Sequence, residues 1–292
     1  MIAARASSRM SLAGTLAIGA ALLFAGPAMA QSAPDSGPSK SAKVVAKYGI
    51  NFNGINIGEF KLNATLANSE YNVTAQANIS LLAGMLFDWN GNTSSSGRMM
   101  SRGPIPYSYS FLYRTSDKSE RIDVKFSNNV VREIAVNPPQ RPSSARVPIT
   151  RKHMQNVVDP LSAVVMLTNI GANKNGSEVC GRKLPIFDGK ARYDLVLSFK
   201  GTKAISAPNG YKGPAYICKV KFIPIAGHKA NDEESTYAAK NEGIEVWMMP
   251  VPEAALYVPF YINVPTPVGT ATLTSAAFNV DVAGDMRRAL IQ

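Results

Sequence analysis

Apolar and polar residues alternate along most of this chain, and the alternation predicts strands. The clearest stretch runs from Tyr71 to Leu81. Tyr71, Val73, Ala75, Ala77, Ile79 and Leu81 are apolar, and Asn72, Thr74, Gln76, Asn78 and Ser80 stand between them. Such a segment has one dry face and one wet face. Upstream, residues 44–52 alternate less regularly and end at Asn53-Gly54, a pair suited to a tight hairpin turn. Phe60, Leu62, Ala64 and Leu66 follow Ile55 and Ile57, so the apolar face switches near Gly58, which predicts a bulge or kink there. Further strands are predicted over 86–100, 105–116, 120–127 and 130–136. Asn68-Ser69, Asp117-Lys118-Ser119 and Asn128-Asn129 supply turns between strands. These elements read as an antiparallel meander.

The alternation stops at Asn137-Pro138-Pro139-Gln140-Arg141-Pro142, an extended connector that cannot donate a full ladder. A helix follows. Asp159 can cap it, Pro160 suits its first position, and the apolar run reaches about Ile170 before Gly171. This helix is apolar on most sides, which predicts burial. Strands return over 183–187, 192–200, 214–225 (interrupted by Pro224), 243–249, 256–263 and 268–282. Asp188-Gly189 forms a turn, and polar residues 229–242 form a loop with room for a short helix. The fold class is therefore mainly β: a large curved antiparallel sheet or open β-barrel, with one buried helix near 159–170.

The N-terminus has a different character. Arg5 and Arg9 precede an apolar run from Leu12 to Ala25, and Ala28-Met29-Ala30 offers small residues to a signal peptidase. The run is too short to span a bilayer. Residues 1–30 are expected to be a signal peptide cut after Ala30, 31–43 a flexible tether rich in Ser and Pro, and 44–292 one β domain. Residue 31 is Gln rather than Cys, so no lipoprotein anchor is expected. The mature chain should have no transmembrane segment. The expected location is a periplasm, where two cysteines, Cys180 and Cys218, would pair as a disulfide.

Charge and motifs narrow the function. Thirty-one basic residues against 20 acidic ones give a net charge of +11, which favours anionic partners. The basic residues are scattered and no nucleic-acid motif occurs, so envelope lipid or glycan is the expected partner class rather than nucleic acid. Hydrolase signatures are missing: no G-x-S-x-G, no S-x-x-K and no H-E-x-x-H. No phosphate-cradling loop or dinucleotide fingerprint occurs either. No cofactor and no metal are expected. His153 reads as a surface histidine among Arg151 and Lys152, and His228 as a loop residue with a local hydrogen bond. Asp88, Asp123, Glu133, Asp188, Asp194 and Glu245 are the carboxylates from which a glycosidase pair could be drawn. Asp188 is explained by its turn, and Asp194 by a basic partner on a strand.

Aromatic residues are the better binding candidates. Trp89 and Trp247 are the only tryptophans. Tyr107, Tyr109, Phe111 and Tyr113 alternate and should share one strand face, either as core or as a stacking platform. Trp89, Trp247, Tyr107, Tyr109 and Asp194 are the candidate ligand-binding residues. The run Leu81–Phe87 is apolar enough for burial, for a membrane-touching loop or for the mouth of a cavity.

Several short segments occur together in a familiar order. They are Tyr48 with Gly54-Ile55-Asn56-Ile57-Gly58-Glu59, Asp159-Pro160-Leu161-Ser162-Ala163, Cys180 before Gly189-Lys190-Ala191-Arg192-Tyr193-Asp194-Leu195, Cys218 before Pro224-Ile225-Ala226-Gly227, and Val264-Pro265-Thr266-Pro267-Val268-Gly269. Over 44–282 the chain resembles the exported bacterial family catalogued as "domain of unknown function 3108". The resemblance implies a Gram-negative envelope and a curved, barrel-like sheet, and it brings no reaction. The combined expectation is a non-enzymatic periplasmic protein that binds a lipid or other envelope component and supports envelope integrity. A glycan- or peptidoglycan-binding module is the alternative, and a hydrolase with a carboxylate pair comes third. Intact-mass measurement of the exported protein should give a chain beginning at Gln31; a chain that still begins at Met1 would remove the export reading.

Overall fold

A computed structural model describes residues 41–81, 87–141, 143–169, 171, 173–206, 211–230, 233–251 and 255–282. The expected signal peptide, most of the tether and residues 82–86 lie outside these. Three turns led by asparagine set the early register. Both central residues have positive φ at Asn53-Gly54 (50° and 82°), Asn68-Ser69 (51° and 66°) and Asn128-Asn129 (52° and 59°). That geometry matches the twist of the flanking strands. The first turn joins β1 (Ala42–Phe52) to β2 (Ile55–Ala67), the second joins β2 to β3 (Glu70–Leu81), and the third joins β6 (Ser119–Ser127) to β7 (Val130–Asn137). Between them lie β4 (Phe87–Met100) and β5 (Gly103–Thr115). The face switch expected at Gly58 is a bulge: Ile50 pairs with Gly58 and Asn51 with Asn56, which leaves Ile57 unpaired.

The second half supplies β8 (Arg182–Phe187), β9 (Arg192–Ser206), β10 (Lys212–Ala226), β11 (Glu245–Val251), β12 (Leu256–Thr266) and β13 (Gly269–Val282). The strands form one 13-stranded sheet in the order β7-β6-β5-β4-β3-β2-β1-β13-β12-β11-β10-β9-β8. Neighbours are antiparallel and consecutive in sequence except β1 and β13, whose ladder from Ala42↔Val282 to Phe52↔Ala271 joins the two arms. Pro224 does not end β10; the ladder to β9 is only irregular between Pro224 and Ala226.

The sheet is not closed, and β7 and β8 are its edges. The proline-rich connector does more than link elements, because its far end lies between these edges. Val157 N donates to Asn129 O at 3.1 Å, Val158 N to Pro185 O at 2.9 Å, and Phe187 N to Val158 O at 2.9 Å. Earlier in the connector, Val147 N donates to His228 O at 2.9 Å and Gly227 N to Val147 O at 2.8 Å. Lys190, in the β8–β9 turn, reaches Glu120 on β6 with Nζ–O distances of 2.8 and 2.9 Å. Backbone groups at the β6–β7 turn, at the start of β7 and on β8 are paired in this way.

Helix α1 (Pro160–Thr168) packs on one face of the sheet, termed here the inner face. Leu161 packs with Tyr71, Val73 and Ala75 of β3, while Ala163 and Leu167 pack with Val158, Leu184, Ile186, Val246 and Met248. The expected buried helix is present and ends at Thr168. A second helix, α2 (Gly176–Cys180), escaped the sequence reading because five residues carry no period. Asn175 caps it by accepting from Glu178 N at 3.0 Å. Its last residue, Cys180, forms the disulfide with Cys218 of β10, Cα–Cα 5.2 Å, and both cysteines are fully buried. The β11–β12 hairpin is dry on both sides. Met248 packs with the α1 cluster and Met249 with Ala46, Tyr48 and Phe278. This is possible because the β12–β13 ladder stops at Tyr261↔Thr274, while β13 continues along β1. The third helix, α3 (Glu233–Lys240), contacts β10 and fits the short helix allowed in the polar loop.

Gly58 tests the packing of the first arm. A Cβ there would overlap the Asn78 carbonyl oxygen on β3. Chemical denaturation of Gly58→Ala should show a loss of about 1–3 kcal/mol; an unchanged midpoint would contradict the close approach.

Candidate functional site

The interior is organised around a carboxylate. Asp159 is 0% exposed. As predicted from the Asp-Pro pair, it caps α1: Oδ1 accepts from Leu161 N and Ser162 N, each at 3.0 Å. Oδ2 accepts from Ser95 Oγ of β4 at 3.0 Å and from Ser162 Oγ. Ser162 Oγ also lies 2.6 Å from Tyr71 OH and 3.1 Å from Ser95 Oγ. Helix, β3 and β4 are thus tied by one buried polar network. Burial holds the Asp159 carboxyl above the usual carboxylate range, against the pull of its hydrogen bonds. Burial also pushes the Tyr71 phenol up.

Beyond this network the inner face becomes accessible in one direction. On β3, Tyr71, Val73 and Ala75 are buried, and then Ala77 and Ile79 are half-buried. On β5, Tyr109 is buried, and then Phe111 and Tyr113 are half-buried. On β9, Leu197 is buried, while Leu195 and Tyr193 are half-buried; on β10, Val220 is buried and Phe222 half-buried. The antiparallel registers place all four gradients toward the end of the sheet that carries the β1–β2, β3–β4 and β5–β6 turns. Trp89 lies in this region. Its ring is 6.2 Å from Tyr113, nearly parallel, and 6.4 Å from Phe111. Across the interior, Tyr193 lies 5.3 Å from Phe222. Burial raises the Tyr193 phenol strongly, and Asp188, Tyr109 and Asp159 add to the effect. The result is an apolar, aromatic inner surface above α1. Lys118 lies over Tyr113 at 5.9 Å, and the Glu120–Lys190 pair lies at its side.

The five candidate binding residues do not converge. Trp89 and Tyr109 are on the inner face, and Tyr109 is core. Tyr107 does not share their face. It is the extra residue where Ser96 pairs with Ser108 and Gly97 with Pro106, and it is 39% exposed. A bulge breaks period two, so the expected four-aromatic stripe loses its first member. Trp247 alternates with the inward Val246 and Met248 and therefore lies on the outer face. There its Nε1 donates to Glu245 at 3.1 Å, and Lys203 covers the ring at 4.9 Å. Asp194 is buried on the outer face as well, paired with Lys183 at 2.8 Å and Arg192 at 2.6 Å. The other carboxylates also have partners of their own. Asp88 accepts from Asn90, Asp123 pairs with Arg121, Glu133 with Lys125 and Glu245 with Lys200. Asp188 accepts from Lys190 N and Ala191 N in its turn. His153 Nδ1 accepts from Thr150 N at 3.2 Å. The hydrogen bond expected for His228 is made by its carbonyl; its Nδ1 is buried without a partner among the described residues. Among the described residues, no group of three or more His, Cys, Asp or Glu side chains could hold a metal ion. No described helix is long and apolar enough to cross a membrane.

Residues 47–275 match the family model described as a protein of unknown function, DUF3108. The chain belongs to the DUF3108 family. No curated protein matches this DUF3108 protein. A solved structure, the β-barrel-like protein of domain of unknown function DUF1849 from Brucella abortus, aligns at 8% identity and a TM-score of 0.46. The alignment covers 84% of the DUF3108 chain and 98% of the Brucella chain.

Asp159 gives a test with a defined sign. Its folded pKa lies above the unfolded value of about 3.9, so the folded state holds the proton more tightly. Its contribution to stability is greatest below that unfolded value and declines as pH rises through the folded pKa. Urea titrations across this range should show that decline in the wild-type protein and its absence in Asp159→Asn. Asp159→Ala, which leaves Leu161 N and Ser162 N without their acceptor and takes one partner from each serine hydroxyl, should cost about 2–4 kcal/mol.

Proposed function

We propose that this DUF3108 protein is a non-enzymatic, exported envelope protein that holds the apolar part of an envelope lipid against its inner face. The observation that carries this reading is the one-directional opening of the inner surface above α1, lined by Ile79, Trp89, Phe111, Tyr113, Tyr193 and Phe222. Accessible apolar surface inside a curved sheet favours an apolar guest, because covering it removes it from water. Aromatic rings give a flat, broad contact without fixed hydrogen-bond demands. The lower interior is filled by α1 and the β11–β12 hairpin, so the guest would be seated above the Asp159 network rather than run through the sheet. The leader-like N-terminus supports a periplasmic location, and the net charge of +11, or +9 without Arg5 and Arg9 of residues 1–30, supports an anionic partner. Support of envelope integrity would follow from holding or delivering such a lipid.

The protein should be isolated from its own periplasm under mild, detergent-free conditions and its bound lipids identified by extraction and mass spectrometry. A stoichiometric lipid is expected, reduced several-fold in Trp89→Ala. Lipid-free protein that also fails to take up a fluorescent fatty acid would sink the reading.

A further inference from the structure

The outer face carries a second feature, unrelated to the aromatic surface. A cleft of about 510 Å³ lies between α3 and strands β9 and β10. Its lining includes Val196, Ser198, Lys219, Lys221, Lys240 and Glu242. Two elements, β10 and α3, supply the lysines of this lining. Lys219 and Lys221 alternate with the inward Cys218, Val220 and Phe222 on β10, so both lysines are directed outward. Lys240 ends α3, and the register places Lys183 of β8 beside Val196.

The charges are unbalanced. Glu242 is the acidic member of the lining, and Lys219 Nζ holds it at 2.9 Å. Lys183 is satisfied by Asp194. Lys221 and Lys240 have no ion pair among the described residues, and Ser198 adds an exposed hydroxyl. Three lysines, Lys219, Lys221 and Lys240, therefore share one concave site with a single carboxylate, Glu242, which Lys219 binds and Lys221 also attracts, so the lining is left net positive. Like charges gathered in this way repel, and a bound anion relieves the repulsion. Ammonium groups suit phosphate as compact point charges, and a dianion gains more from several of them than a monoanionic carboxylate does.

We propose that this cleft is an anion site that takes a phosphate group. The phosphate belongs either to a lipid headgroup or to a small soluble molecule, and the site chemistry is the same for both. The lysines of the site point away from the aromatic surface, because Lys219 and Lys221 leave β10 on the opposite side from Phe222. Glu242 competes with the anion for Lys219, so its removal improves binding.

Calorimetry with inorganic phosphate in a low-salt, phosphate-free buffer should show saturable binding. Lys221→Glu combined with Lys240→Glu should weaken it by about ten-fold or more, and Glu242→Gln should strengthen it by about three-fold. Trp89→Ala should leave it unchanged, which separates this site from the lipid-holding surface. Flotation with phosphatidylglycerol vesicles, but not with phosphatidylcholine vesicles, would identify the lipid headgroup as the source. Phosphate binding without flotation would identify a soluble phosphate. Absence of phosphate binding in the wild-type protein, or binding that the double variant retains in full, would overturn the proposal.

Discussion

A carboxyl group with no route to water fixes the interior of this protein. Asp159 is deep enough that its unpaired presence would be intolerable, so its partners must arrive together. They come from three elements: the first turn of α1, Ser95 on β4 and, through Ser162, Tyr71 on β3. Nonpolar packing alone would let a helix with apolar residues on most sides rotate or slide along the sheet. The network removes that freedom. It also sets where the filled part of the interior ends and the accessible part begins.

A large open sheet raises a second constraint, since its two edges must be satisfied. Here the chain uses its least regular segment for the purpose. Residues 145–158 exchange hydrogen bonds with both arms, and Glu120–Lys190 crosses the same gap. The seam therefore depends on a strip of connector and one partly buried ion pair rather than on a continuous ladder.

Much of this was legible in the amino-acid sequence. Strict alternation at 71–81, asparagine-led turns and the Asp-Pro cap each act over a few residues, and each appears where local chemistry placed it. The bulge beside Gly58 was also local, because a face switch must be absorbed somewhere. What escaped were features that depend on distant partners. The bulge at Tyr107 is visible only as a mismatch between β4 and β5. The seam role of the prolines needs both sheet edges in view. Trp89 and Trp247 look equivalent in one dimension, yet the sheet puts them on opposite faces. Asp194 was read correctly as a partner of basic residues, but that reading could not say which side of the sheet it would occupy.

The ladder between β1 and β13 has a bearing on how the molecule comes into being. Strands β1–β7 and β8–β13 can each build a meander as their hairpins are completed, but the second side of β1 must wait for β13. The first strand and the last thus form a clasp across nearly the whole length of the polypeptide, a contact of very high sequence separation. A ribosome releases the N-terminal half first, so one side of β1 stays unmatched until residue 282 has emerged. During that interval the exposed side of β1 is a sticky edge. Its outward lysines, Lys43 and Lys47, then serve as a guard against premature pairing with another chain.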